Sequence, residues 1–132
     1  MWDQAVQRIN PEFWNQGKEL MKQSAEWQKV INDKAYESIK DDEDKVASEV
    51  HSRLAGYIAA GKSVELYAKD RTKDKRNWFK RLIDWFMKFK DFTLKNIFNM
   101  SKADCKQVSL EQFLNAPVAD FFMQTDPRKI GK

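Results

Sequence analysis

Only four glycines and three prolines occur in this 132-residue chain. A β-rich domain reverses direction every few residues and draws on Gly, Pro, Asn and Asp to do so. So few Gly and Pro argue for a small number of long helices. Hydrophobic residues make up 42% and aromatic residues 13%, enough apolar surface for one core, while 33% charged residues imply a strongly ionic exterior. The expected fold is therefore all-α, a bundle of about four to six helices in one domain over residues 1–124. The sequence "TDPRKIGK" at 125–132 reads as a flexible basic tail.

Hydrophobic spacing locates the helices. Asn10 is placed to cap the first one, Pro11 suits its first position, and Glu12 complements the helix dipole. Phe13, Gly17, Leu20, Ser24, Trp27 and Ile31 then recur at alternating four- and three-residue intervals, and Trp14, Met21 and Ile39 widen the stripe. This predicts one helix from Asn10 to about Lys40. The run "DDED" at 41–44 is either a break or the acidic first turn of a second helix, and one long helix through it is also compatible with the pattern. Val46, Val50, Leu54 and Tyr57, flanked by Ala47 and Ile58, continue the helical period, and Gly61 suits a C-terminal cap. Ser63 is placed to cap a third helix carrying Val64, Leu66, Tyr67 and Ala68.

Residues 69–77, "KDRTKDKRN", contain no apolar side chain and mark the best internal boundary, as an exposed helical turn or a solvated connection. Beyond them Trp78, Leu82, Trp85, Phe89 and Phe92 form one stripe, extended by Phe79, Ile83 and Phe86, with Thr93 at its edge. Lys80, Arg81, Lys88 and Lys95 fall on the opposite side with Asp84 and Asp91 among them. This aromatic stripe is expected to be core, facing the stripe of the first helix. Ser101 stands three residues before Asp104, and Ser109 three before Gln112. Both are capping-box spacings that begin short helices. Pro117 is expected to start or kink a last helix with Val118, Phe121 and Phe122.

Reactive groups are sparse. His51 is the only histidine and Cys105 the only cysteine, so neither a two-histidine metal site nor a zinc finger can be built within one chain. His51 is expected on a half-exposed helix face. The "DDED" run lacks the alternating ligands and central glycine of a calcium loop. There is no glycine-rich phosphate loop. The expectation is a non-enzymatic protein without cofactor or metal. A lone cysteine makes no intrachain disulfide, the N-terminus lacks the pattern of a signal peptide, and no run reaches the roughly 18–20 apolar residues that cross a bilayer. A soluble, cytoplasmic protein is expected.

Charge is unevenly distributed. Residues 69–106 hold 12 Lys/Arg against 5 Asp/Glu, a local balance of +7 within a chain of net +4. Lys73, Lys75, Arg76, Lys80, Arg81, Lys88 and Lys95 are the candidate residues for an acidic or phosphate-bearing partner. Three classes of partner compete. A protein is the first expectation, DNA or RNA bound through this segment the second, and a membrane surface met by an exposed aromatic face the third. The sequence leaves the oligomeric state open.

Residues 76–124 carry "RNWFKRLIDWF", then "MSKADCKQ", then "SLEQFLNAPVADFF". This layout resembles helical accessory regions of large conjugative-plasmid relaxases and phage polyvalent proteins. The resemblance contains no catalytic motif, because a relaxase binds its metal with a histidine cluster and His51 stands alone. It implies an accessory module in a mobile-element DNA-processing or secretion assembly, without nicking activity.

Overall fold

The computed structural model describes residues 2–62 and 73–116, with the backbone alone for 73–76. The helix expected after Ser63, the one expected at Pro117 and the basic tail lie outside the described residues. Among those described, the chain is all-α, with seven α-helices and no strand. They are α1 (Trp2–Ile9), α2 (Pro11–Lys22), α3 (Ala25–Asn32), α4 (Glu43–Ala59), α5 (Lys73–Asn96), α6 (Lys102–Gln107) and α7 (Leu110–Asn115). A single 3₁₀ turn, Lys34–Tyr36, follows α3.

The count exceeds four to six because the first expected helix is shorter and broken. Asn10 caps α2 as anticipated, its Oδ1 accepting from Phe13 N at 3.1 Å, but helical structure already precedes it in α1. Val6 of α1 is fully buried and Trp2 meets Phe98 edge-on at 5.1 Å. The second departure is at Ser24. Its hydroxyl donates to Met21 O at 2.7 Å and accepts from Trp27 N, so it ends α2 and caps α3. A serine at stripe spacing can fill a helix interior or cap a new one, and here capping wins because its backbone is extended.

The acidic run is the first turn of α4. Asp42 Oδ1 accepts from the N–H groups of Asp44 and Lys45. Glu43 and Asp44 reach across to α2, pairing with Lys22 at 2.8 Å and Lys18 at 3.0 Å. At the other end Gly61 takes φ +73°, its N–H reaches Ile58 O, and Lys62 N–H reaches Tyr57 O. This pair of bonds with a left-handed glycine closes the helix in a Schellman motif. Ser101 and Ser109 cap α6 and α7, the latter with both halves of a capping box.

The aromatic stripe of α5 is core. Trp78, Leu82, Trp85, Phe86 and Phe89 are buried, and Phe92 is half-buried. The stripe faces that of α2, with Phe13 stacked on Trp85 at 5.0 Å and 12°. Burying such side chains contributes about 1.5–3 kcal/mol each, which anchors α5 against α1, α2, α6 and α7. Direction is set by two indole donors. Trp85 Nε1 donates to Phe13 O at 3.0 Å and Trp78 Nε1 to Leu20 O at 2.6 Å. Donors and acceptors are each two turns apart and run in opposite order, so α2 and α5 are antiparallel. Gly17 makes this possible: it leaves room for the Trp85 ring, which a Cβ at this position would overlap.

Three charged or polar side chains are deeper than the pattern indicates. Thr93 is fully buried, not at the edge of the stripe. Lys90 is 2% exposed, and its Nζ donates to Val108 O at 2.7 Å. Val108 is the C-terminal cap of α6, where a cation meets both an unpaired carbonyl and the negative end of the helix dipole. Glu26 is 2% exposed and meets Lys29 at 3.0 Å and Arg53 at 3.3 Å, tying α3 to α4.

Candidate functional site

The two residues with chemical reactivity are held apart from solvent. His51 is 6% exposed, which corrects the half-exposed face expected for it. Its ring lies among Trp14, Trp85, Phe86 and Phe89, with centroids 4.7–5.9 Å away. The period of α4 turns position 51 inward beside Val50 and Leu54, and the facing aromatics of α5 close over it. Burial in this nest pushes its pKa down to about 4, against a smaller opposite effect of Asp3. Among the described residues, the buried Nε2 has no hydrogen-bond partner, and neither does Trp14 Nε1. Asp3 is buried too. Burial pushes its carboxyl up, and hydrogen bonds and charges, the Ser48 hydroxyl among them, outweigh this and hold it low.

Cys105 is in a different setting, with its thiol 4.0 Å from the carbonyls of Asp91 and Met100. Burial and the nearby carboxylate of Asp91 raise its pKa, which disfavours the nucleophilic thiolate. Among the described residues no group of three or more His, Cys, Asp or Glu is arranged to hold a metal ion. The "DDED" run serves as helix cap and clasp to α2, as its bonds show.

The surface offers more. The outer face of α5 presents Lys80, Arg81, Asp84, Lys88, Asp91 and Lys95, all exposed. Lys73, Lys75 and Arg76 lie in the first turn of the same helix, and their side chains are outside the described residues. The fold thus brings four of the seven candidate residues onto one described face. They differ in ion pairing from four cations elsewhere in the fold. Lys18, Lys22, Lys29 and Arg53 of α2, α3 and α4 are all ion-paired. Lys80, Arg81, Lys88 and Lys95 have no ion pair among the described residues. Asp84 also has none, while Asp91 Oδ1 meets the buried Lys90 at 3.2 Å.

Two open grooves flank this face. One of about 480 Å³ runs between α2 and α5, past Gln16, Leu20, Arg81 and Lys88. A second of about 480 Å³ gathers Lys95, Lys102 and Lys106 over Phe92 and Cys105. Lys102 and Lys106 were not among the expected binding residues. The four-residue spacing of Lys102 and Lys106 was readable, but the approach of α6 to the end of α5 was not. Exposed large apolar side chains are few among the described residues, Ile9 at 52% and Met87 at 38%. With Trp85 and Phe89 inside the core, the aromatic face on which a membrane reading depends is covered. No described helix is long and apolar enough to cross a membrane. Comparison with family models, curated proteins and solved structures finds no match.

Proposed function

We propose that this chain is a non-enzymatic helical module that binds another protein through the outer face of α5. The observation that carries this reading is the exposed row of cations on that face without ion pairs among the described residues, while Lys18, Lys22, Lys29 and Arg53 of α2, α3 and α4 are paired within the fold. Unpaired surface charge is free to meet a complementary partner, and it steers encounter more than it sets affinity. The row alternates in sign, with Asp84 and Asp91 set among the cations. A phosphate backbone is uniformly negative and would be repelled by those carboxylates. A protein surface can supply both signs in register. The resemblance of residues 76–124 to accessory regions favours a mobile-element DNA-processing or secretion assembly as the setting.

One feature favours nucleic acid as a second reading. The groove lined by Lys95, Lys102 and Lys106 collects positive charge, and the carboxylate beside it, Asp91, is paired with Lys90. A single set of measurements separates the two. The chain is titrated with single- and double-stranded DNA and RNA across a salt series. In parallel, a photocrosslinker at position 88 is used in extract of the producing cell, with wild type and with Lys80, Arg81 and Lys95 changed to Glu. Crosslinks to a discrete polypeptide that vanish on charge reversal, with negligible nucleic-acid affinity at low salt, support the protein reading. Micromolar binding that weakens steeply with salt supports the second and overturns the first.

A further inference from the structure

The charge order on the outer face of α5 has a symmetry of its own. Asn77, Arg81, Asp84, Lys88, Asp91 and Lys95 are all exposed and follow one another at intervals of four, three, four, three and four. That is the spacing of the two inner positions of a coiled-coil heptad. One position of the heptad holds Arg81, Lys88 and Lys95, all cations. The other holds Asn77, Asp84 and Asp91, none of them cationic. We infer that this face docks on the same face of a second copy of the chain, with the two α5 helices antiparallel. This inference rests on the proposed function and names its partner.

The orientation follows from the charges. A parallel pair sets like positions together, Lys88 against Lys88 and Asp84 against Asp84, and repels. An antiparallel pair with its two-fold axis level with residue 86 sets each position against the other. Asp84 then meets Lys88 of the second copy, Arg81 meets Asp91, and Asn77 meets Lys95. The relation is reciprocal, as a two-fold interface requires. Met87, 38% exposed, lies beside the axis and is covered along with the methylene stems of Lys88 and Arg81. The central layer is the stronger. Neither Asp84 nor Lys88 has another ion-pair partner among the described residues, whereas Asp91 already shares one oxygen with Lys90. A seam of exposed ion pairs with little apolar area makes a weak, salt-sensitive dimer that exchanges readily with other acidic and basic surfaces.

The test exploits the symmetry. Lys88→Asp sets Asp against Asp twice at the centre, and Asp84→Lys sets Lys against Lys. Both side chains are exposed and outside the core, so both variants fold. Sedimentation equilibrium of the whole chain at low salt is expected to show a reversible dimer for wild type. Its dissociation constant rises roughly tenfold between about 20 and about 300 mM salt. Each variant alone is expected to remain monomeric, and an equimolar mixture of the two to associate again, since every central contact is then between opposite charges. Wild type that stays monomeric at low salt overturns the inference, as does a mixture that fails to associate. If a charge-dependent crosslink to a different polypeptide persists in that case, the proposed function stands and only its self-pairing falls.

Discussion

Replacing Gly17 by Ala tests the contact that sets α2 against α5. In an exposed helix this substitution is favourable by about 1 kcal/mol, since Ala gives up less backbone freedom. Here the new Cβ overlaps the Trp85 ring. The indole has to withdraw, at an overpacking cost of about 1–3 kcal/mol. Its N–H then loses Phe13 O, and a buried donor left unpaired costs about 1–3 kcal/mol more. The losses outweigh the propensity gain, for a net destabilisation of about 3 kcal/mol and a fall in melting temperature of about 10 °C. Gly56 supplies the control. It is exposed on α4 with nothing within 4 Å of its Cβ position, so Gly56→Ala is expected to stabilise by up to about 1 kcal/mol. Urea denaturation followed by circular dichroism measures both. A Gly17→Ala variant that matches Gly56→Ala in sign would refute the close approach of the two helices.

Acid should weaken the fold in a window assignable to one residue. His51 has a folded pKa of about 4 against an ordinary 6.5, so between those values the unfolded chain binds the extra proton and stability falls as pH falls. The loss is about 3 kcal/mol across the window. A His51→Leu variant should show a flatter profile above pH 4, and an equal slope in variant and wild type would contradict this burial. Asp3 and Glu26, both held low, add their losses only below the ordinary carboxylate range. Thr93→Val should stabilise by about 1 kcal/mol, because the buried Oγ1 has no partner among the described residues and valine keeps the shape. Glu26→Gln should destabilise by about 1–2 kcal/mol, measurable by urea denaturation. That is less than a fully buried pair costs, because Arg53 and Lys29 are partly exposed and can rehydrate.

What could be read from the sequence was what depends on neighbours along the chain. Asn10, Ser101, Ser109 and Gly61 all cap as their types and spacing indicate, because a cap bonds within three or four residues. The stripe of α5 was legible because its period runs unbroken from Trp78 to Phe92 on one continuous helix. Distant partners were not legible. Lys90 reads as surface until Val108 O, 18 residues on, is placed against it. Glu26 reads as surface until Arg53, 27 residues away, reaches it. Ser24 misled because stripe positions and cap positions share the same spacing. Of the candidate site, sequence supplied the four cations of the outer face. Their lack of ion pairs among the described residues, and the convergence of Lys102 and Lys106 on Lys95, required the folded chain.

The inner and outer faces of α5 are not independent. A helix turns by about 100° per residue, so the side that meets solvent is decided by the side that is anchored. Trp78 and Trp85 fix that anchor with two N–H bonds to α2, and Gly17 allows the ring of the second to reach its carbonyl. A slip of one residue would turn Arg81, Asp84, Lys88 and Asp91 off the outer face and bring Leu82, Trp85 and Phe89 toward water. Core packing forbids that slip, since it would expose three large apolar side chains at about 1.5–3 kcal/mol each. The charged row is therefore held in one orientation by residues on the opposite, buried face of the helix. In the dimer inferred above, selectivity would follow from a charge order presented on a fixed helix.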